Sequence, residues 1–262
     1  MSDTPDLADR LRRLGFRAGK EALAAFLAHV HKSRLGPTET LEHLAALEER
    51  SRTAVNLARR TRFACLGAFK PLDRFDWNHP EKLDRALVER LLSLDFLRRG
   101  ENVLLKGGSG LGKTTIAQNL GLAALAAGYS VRFTTLAAAL ADLLGQESVP
   151  AFERRLRRYT APSLLLLDEL GYLPCDSRAA EVLYHLISRR HERASTVITT
   201  NLAFKQWGTV FPGAACVVAL VDRFAQHCHR VEILGDSWRD KHRLESESRS
   251  PSVQDKPRRK SA

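Results

Sequence analysis

Apolar positions in the first hundred residues recur every three or four places along the chain. Leu7, Leu11 and Leu14 make one stripe, Leu23, Phe26, Leu27 and Val30 a second, and Leu41, Leu44 and Leu47 a third. This is the spacing of helices that bury one face. Gly36-Pro37 breaks the pattern, and Thr38 is the expected N-cap of the helix that follows. The rhythm fails between Phe63 and Trp77, where Pro71 and the triplet Phe75-Asp76-Trp77 read as a connector. From residue 101 short apolar runs take over: Val103–Lys106, Val131–Thr134, Leu164–Leu167, Thr196–Thr200 and Val231–Leu234. Helical stretches such as Ile116–Ala127 lie between them, the sequence sign of a parallel sheet covered by helices. The expected organisation is a small helical N-terminal domain over 1–65, a connector and helix over 66–100, an α/β core over 101–245 and a tail over 246–262. That tail is polar, rich in Ser and Pro, and holds five basic against two acidic residues, so disorder is expected there.

The chemistry begins where the first strand of the core ends. Gly107-Gly108-Ser109-Gly110-Leu111-Gly112-Lys113-Thr114, with Thr115 after it, runs directly from strand to helix and matches the phosphate-loop pattern G-x-x-x-x-G-K-[ST]. Glycines let backbone N–H groups turn inward around a β-phosphate, and the following helix offers its positive end. Lys113 is placed to reach the β- and γ-phosphates of ATP, and the Thr114 hydroxyl to hold Mg²⁺. A dinucleotide fingerprint competes poorly, because Lys113 stands where its third glycine belongs. Leu164–Leu167 then ends in Asp168-Glu169, as a strand buried on both faces would when its carboxyl end meets a nucleotide crevice. Asp168 becomes the candidate Mg²⁺ ligand and Glu169 the group that orients and polarises the attacking water. Two acids after a strand are by themselves an ordinary helix start; the upstream loop makes the difference. Asn201, after another strand, can hydrogen-bond a γ-phosphate or the water, and Arg223 and Arg239 can stabilise charge on the transferred phosphoryl group. His227-Cys228-His229 lacks the spaced fourth contributor that a tetrahedral metal site needs.

Charge narrows the partner. The 262 residues hold 41 Lys+Arg against 30 Asp+Glu, a net +11, with a pI near 9.9. Such a balance points to an anionic partner. The longest apolar runs fall well short of the ~18 residues a spanning helix requires, and the start carries no basic-then-apolar signal, so no membrane partner is expected. Four scattered cysteines with no Cys-x-x-Cys pair fit a reducing, cytoplasmic compartment. Arginines concentrate in two places, at Arg50–Arg62, which includes Arg59 and Arg60, and at Arg154, Arg155, Arg157 and Arg158. These are the candidates for contact with double-stranded DNA, against the alternative of a solvated basic helix face.

Several stretches together carry a family likeness. The phosphate loop, Leu166–Pro174, Ile187–Arg193, Thr196–Leu202, Trp207-Gly208-x-Val210-Phe211 and Asp222-Arg223-Phe224 closely resemble the IstB family, ATP-binding helpers of insertion-sequence transposition. That family is related to DnaC-type helicase loaders within the initiator branch of AAA+ ATPases. The likeness covers nearly the whole of residues 38–245, including Phe75-Asp76-Trp77 and Leu94-Asp95-Phe96, and its stretch Asp168–Pro174 is far more specific than the phosphate loop. It implies a P-loop AAA+ sheet flanked by helices, without a full C-terminal lid. It also implies Asp168 and Glu169 as the Walker B pair, Asn201 as sensor 1, Arg223 as an arginine finger serving a neighbouring subunit's ATP, and Arg239 as a sensor-2-like residue. The implied activity is ATP hydrolysis used as an assembly switch. The implied partners are target DNA bound with little regard to sequence, a transposase, and further copies of the chain in an ATP-bridged homo-oligomer. The loop reads Gly-Gly-Ser-Gly-Leu-Gly where the family more often has Gly-Pro-Pro-Gly-x-Gly, while Gly112, Lys113 and Thr114 remain. A DnaC-like helicase loader is the alternative reading. A small-molecule P-loop kinase fits poorly, since Asp168-Glu169 suits water activation and a +11 surplus serves no metabolite.

Overall fold

A computed structural model describes residues 6–172 and 176–238. The chain divides between Ala64 and Cys65 into two compact units. The first is helical, with α1 (Leu7–Arg13), α2 (Lys20–Ser33) and α3 (Pro37–Ala64). Ala8, Ala18 and Leu23 are buried together and packed by Leu11, Leu44 and Leu47. The cap of α3 differs from expectation. Pro37 is the first helical residue, Gly36 accepts the first helical bond from Thr40 N–H, and Glu39 Oε2 reaches back to Gly36 N–H at 3.0 Å. Proline has no N–H to lose at that position, so the helix starts two residues earlier and Thr38 falls inside its first turn.

One carboxylate organises this unit. Glu48 on α3 is buried and accepts from the backbone N–H groups of Arg17 (2.8 and 2.9 Å) and Ala18 (3.1 Å), in the turn before α2, and from Arg52 Nε at 2.6 Å. Burial opposes its ionisation, but the Arg52 guanidinium and the two N–H groups outweigh that and lower its pKa. Because the folded pKa lies below the unfolded one, this stabilisation is complete above the ordinary Glu range and is lost as pH falls through the folded value. Glu48→Ala is expected to cost about 2–3 kcal/mol, from the loss of charge-assisted bonds and the stranding of two N–H groups. Urea titrations at pH 7 and in acid check this: the gap between the native protein and the variant should shrink in acid, and a constant gap contradicts the assignment.

The second unit is built on a six-stranded sheet in the order β1-β6-β2-β5-β4-β3. Its strands are β1 (Lys82–Leu83), β2 (Asn102–Gly107), β3 (Val131–Thr135), β4 (Leu164–Leu170), β5 (Ser195–Thr200) and β6 (Cys228–Leu234). β2 through β6 run parallel, as the alternating pattern implies. The sheet is nevertheless mixed, because β1 pairs antiparallel with β6. Two residues are too few to leave a periodic trace in sequence. The helices are α4 (Arg85–Leu92), α5 (Asp95–Arg98), α6 (Lys113–Ala126), α7 (Leu136–Leu144), α8 (Val149–Thr160), α9 (Ser177–Arg190), α10 (Trp207–Val210) and α11 (Val217–Ala225).

Side chains alternate across the strands, and each face of the sheet has its cover. Leu104, Leu165, Leu167 and Ile198 pack with residues of α7, α8, α9, α10 and α11, including the fully buried Trp207 and Phe224. The opposite face takes α6. A Cβ added at Gly121 would stand 2.8 Å from Leu166 Cδ1 and 2.9 Å from Leu66 Cδ2, so only glycine lets the helix lie this close to the strands.

A buried arginine braces the far end of the sheet. Arg190, at the end of α9, is 1% exposed. Its Nη1 donates to the carbonyls of Tyr159 (3.0 Å), Thr160 (3.2 Å) and Pro162 (2.7 Å), its Nη2 to those of Ser163 (3.4 Å) and Ser195 (2.5 Å), and its Nε to Thr196 Oγ1 (3.0 Å). Burial pulls its pKa down to about 9, so the group stays charged at neutral pH. One side chain thus ties the end of α8 to the starts of β4 and β5.

Candidate nucleotide site

At the carboxyl ends of the parallel strands, where α/β sheets bind ligands, a cavity of about 490 Å³ opens over the phosphate loop. That volume is in the range of small-ligand and cofactor pockets. β2 ends at Gly107 and α6 begins at Lys113, with Gly112 as its cap at φ 84°. A Cβ there would collide with the ring of Phe75. The Lys113 ammonium is drawn over the loop, donating to Gly108 O at 2.6 Å. Ser109, Gly110, Leu111, Gly112, Lys113, Thr114 and Thr115 all line the cavity. Inward-turned loop, lysine and helix N-terminus together form a cradle for the phosphates of a nucleotide.

An irregularity in β4 aims Glu169 into this cavity and leaves Asp168 buried against Thr114. Pairing between β4 and β5 shifts register between Leu167 and Leu170, and Glu169 adopts φ 66°. In a regular strand, neighbours point to opposite faces; a bulge re-aims them. Asp168 is 4% exposed and accepts Thr114 Oγ1 at 3.0 and 3.1 Å, along with the Thr199 hydroxyl of β5. Glu169 turns outward into the cavity wall, and its N–H donates to Thr199 Oγ1 at 3.0 Å. Thr200 continues the clip, donating to Leu170 O at 2.7 Å. The Thr114 hydroxyl and the Asp168 carboxylate offer adjacent oxygens to a hard cation, as Mg²⁺ prefers when phosphates and water complete its shell.

The opposite wall was not readable from motifs. Phe69, Lys70, Arg74, Phe75, Asp76, His79 and Pro80, all from the expected connector, line the cavity together with Tyr172 and Trp238. Phe75 packs edge-on against Trp77 at 4.9 Å, and His79 against Trp238 at 4.8 Å. Two side chains of α6 fix the connector there through three bonds to its backbone: Gln118 Nε2 donates to Leu66 O at 2.7 Å, and Asn119 donates to Lys70 O and accepts from Leu72 N–H, both at 3.0 Å. The signal available in sequence was a run of aromatics in a stretch without periodicity.

Other candidates are placed differently. Asn201 is exposed and stands beside Gly171 rather than in the cavity wall. Arg223 lies over the Tyr184 ring at 4.8 Å and donates to Ser188 Oγ, outside its own chain's cavity. Arg155 and Arg158 pair with Asp142 of α7 at 3.5 and 3.9 Å, and Arg154 and Arg157 are exposed. Asp142 also accepts Tyr159 Oη at 2.6 Å; burial and this carboxylate push the phenol up to about 12. His229 pairs with Glu101 at 2.7 Å, and no group of three or more His, Cys, Asp or Glu able to hold a metal occurs among the described residues. Arg59 is exposed on α3 and Arg60 half-buried. Arg239, Pro174 and the tail 246–262 lie outside the described residues. No helix of the described residues is long and apolar enough to cross a membrane.

The model of the IstB-like ATP binding protein family matches residues 9–246. The chain belongs to that family. Among relatives, a Pseudomonas aeruginosa protein named for ATP binding in insertion sequence IS21 is 34% identical over 215 residues, 82% of this chain and 81% of that one. A similarly named protein of insertion sequence IS232 from Bacillus thuringiensis subsp. berliner is 36% identical over 186 residues, 70% of this chain and 74% of that one. Among solved structures, AMPPCP-bound DnaA from Aquifex aeolicus has a TM-score of 0.55 at 20% identity, covering 73% of this chain and 58% of that one. DnaI has a TM-score of 0.52 at 18% identity, covering 66% and 90%. These structural likenesses establish the P-loop AAA+ fold of the IstB-like chain.

Proposed function

We propose that this IstB-like protein is an ATP-dependent, DNA-binding helper of transposition, which assembles with ATP on double-stranded DNA and stimulates and directs a partner transposase. The observation that carries the reading is that Lys113, Thr114 and Glu169 line one cavity, with Asp168 bonded to the Thr114 hydroxyl, in a chain of this family. Lys113 and the N–H groups of the loop hold the phosphates, and Thr114 and Asp168 hold Mg²⁺. The metal, when bound, neutralises charge developing on the phosphoryl oxygens. Glu169 orients and polarises the attacking water. Asn201 and Arg239 assist at the γ-phosphate. Arg223 serves the ATP of a neighbouring copy, in keeping with its place outside its own cavity. Arg59, Arg60, Arg154, Arg155, Arg157 and Arg158 supply phosphate contacts, which are largely indifferent to base sequence and multiply along an assembly. The setting is cytoplasmic.

A helicase loader shares the fold, but the relatives of higher identity carry insertion-sequence names, and the reading follows them. Electron microscopy of the protein with duplex DNA and a non-hydrolysable ATP analogue tests it. Ordered assemblies on DNA are expected with the analogue and not with ADP. Nucleotide-independent coating, or none, contradicts the proposal.

A further inference from the structure

A second concavity, of about 640 Å³, lies at the other end of the sheet. Its lining includes Tyr129, two residues before β3, and Ser163 and Ala194, directly before β4 and β5, so it sits at the amino ends of the parallel strands, away from the ATP cavity. Arg157 of α8, Arg189 of α9 and Arg193 after α9 stand around it. Arg189 is committed to Glu153 through two bonds of 2.6 Å. That fork is the main reason the Glu153 pKa is lowered, with Arg157 adding to the effect against some burial. Among the described residues, the side chains of Arg157 and Arg193 make no hydrogen bond and no ion pair within 4 Å, and both are exposed.

The floor adds a fourth positive charge. Backbone carbonyls on a groove floor would ordinarily repel an anion, but those of Thr160 and Ser163 are directed to the buried Arg190 guanidinium beneath. All six of its hydrogen bonds go to neutral oxygens, so no carboxylate cancels its charge. The lining is more polar than apolar, with Leu97 its one large aliphatic residue beside Tyr129, Ala161 and Ala194. An amphipathic acidic helix would find little to bury there, whereas a phosphodiester needs fixed, fork-shaped donors.

We propose that this groove binds the phosphate backbone of duplex DNA through Arg157 and Arg193. The proposal rests on the DNA-binding reading above and deepens it, since Arg193 enters from outside both arginine clusters of the sequence. The test is DNA affinity by fluorescence anisotropy over a series of salt concentrations, with the ATP analogue present. Each phosphate contact contributes about 0.9 to the slope of log affinity against log salt. Arg157→Ala/Arg193→Ala is expected to flatten the slope by about 1.8 per protomer and to weaken binding at low salt at least tenfold. Binding of a fluorescent ATP analogue and the melting temperature should stay as in the native protein. Arg85→Ala, the loss of a single exposed positive charge on α4, should leave the slope unaltered. A double variant that follows the native curve overturns the groove while leaving the proposed function standing, and so does an Arg85 variant that flattens it equally. A native protein that fails to bind duplex DNA at any salt removes the proposed function and the groove with it.

Discussion

Lys113→Ala is expected to abolish ATP binding and, with it, ATP-dependent assembly on DNA. The ammonium is drawn over the phosphate loop, 2.6 Å from Gly108 O, and without it the loop meets a polyphosphate without the charge that lies nearest its N–H groups. Fluorescence titration with a labelled ATP analogue measures the loss. Glu169→Gln separates binding from chemistry at the same cavity. It keeps size and shape, removes the carboxylate proposed to polarise water, and should slow phosphate release about 100-fold with nucleotide affinity unchanged. A Lys113 variant that hydrolyses ATP normally would place the active site elsewhere, and normal turnover in the Glu169 variant would take that residue out of the reaction.

The largest effect on stability is expected at Arg190. Arg190→Ala leaves the carbonyls around Tyr159–Ser163 and at Ser195 without their donor in a buried position. Each stranded acceptor costs about 1–3 kcal/mol unless water enters. Partial repair by water brings the expected loss to about 4 kcal/mol, a large share of the ~5–15 kcal/mol by which domains of this size are stable. Arg190→Lys keeps the charge but cannot span both sides of the cage, so it should recover only part of the loss. Denaturant titration checks both variants. A loss below about 1 kcal/mol for the alanine variant would mean that water substitutes for the guanidinium.

What the sequence disclosed was local. The phosphate loop is contiguous, and Leu164–Leu167 is so uniformly apolar that a strand buried on both faces was the natural reading; each of those leucines is at most 1% exposed. The connector hid its role because Phe75 and Gly112 meet only in three dimensions, as do His79 and Trp238. The register shift in β4 was equally hidden, since it depends on the pairing partner, β5. Arg190 ran against the rule that arginines face water; nothing distinguishes it in sequence from the exposed Arg189 beside it. The arginine cluster of α8 was visible as composition, but its division between Asp142 on one flank and the groove on the other depends on the helix's neighbours.

Thr199 donates its hydroxyl proton to Asp168 and accepts the N–H of Glu169 on the same oxygen. The Asp168 and Glu169 carboxylates are therefore surveyed from a single benchmark on the neighbouring strand. Any drift of β5 carries both acids along together, so the interval between them is preserved even while the sheet breathes. Thr199→Val would keep the shape and erase the benchmark, leaving each acid to find its own position.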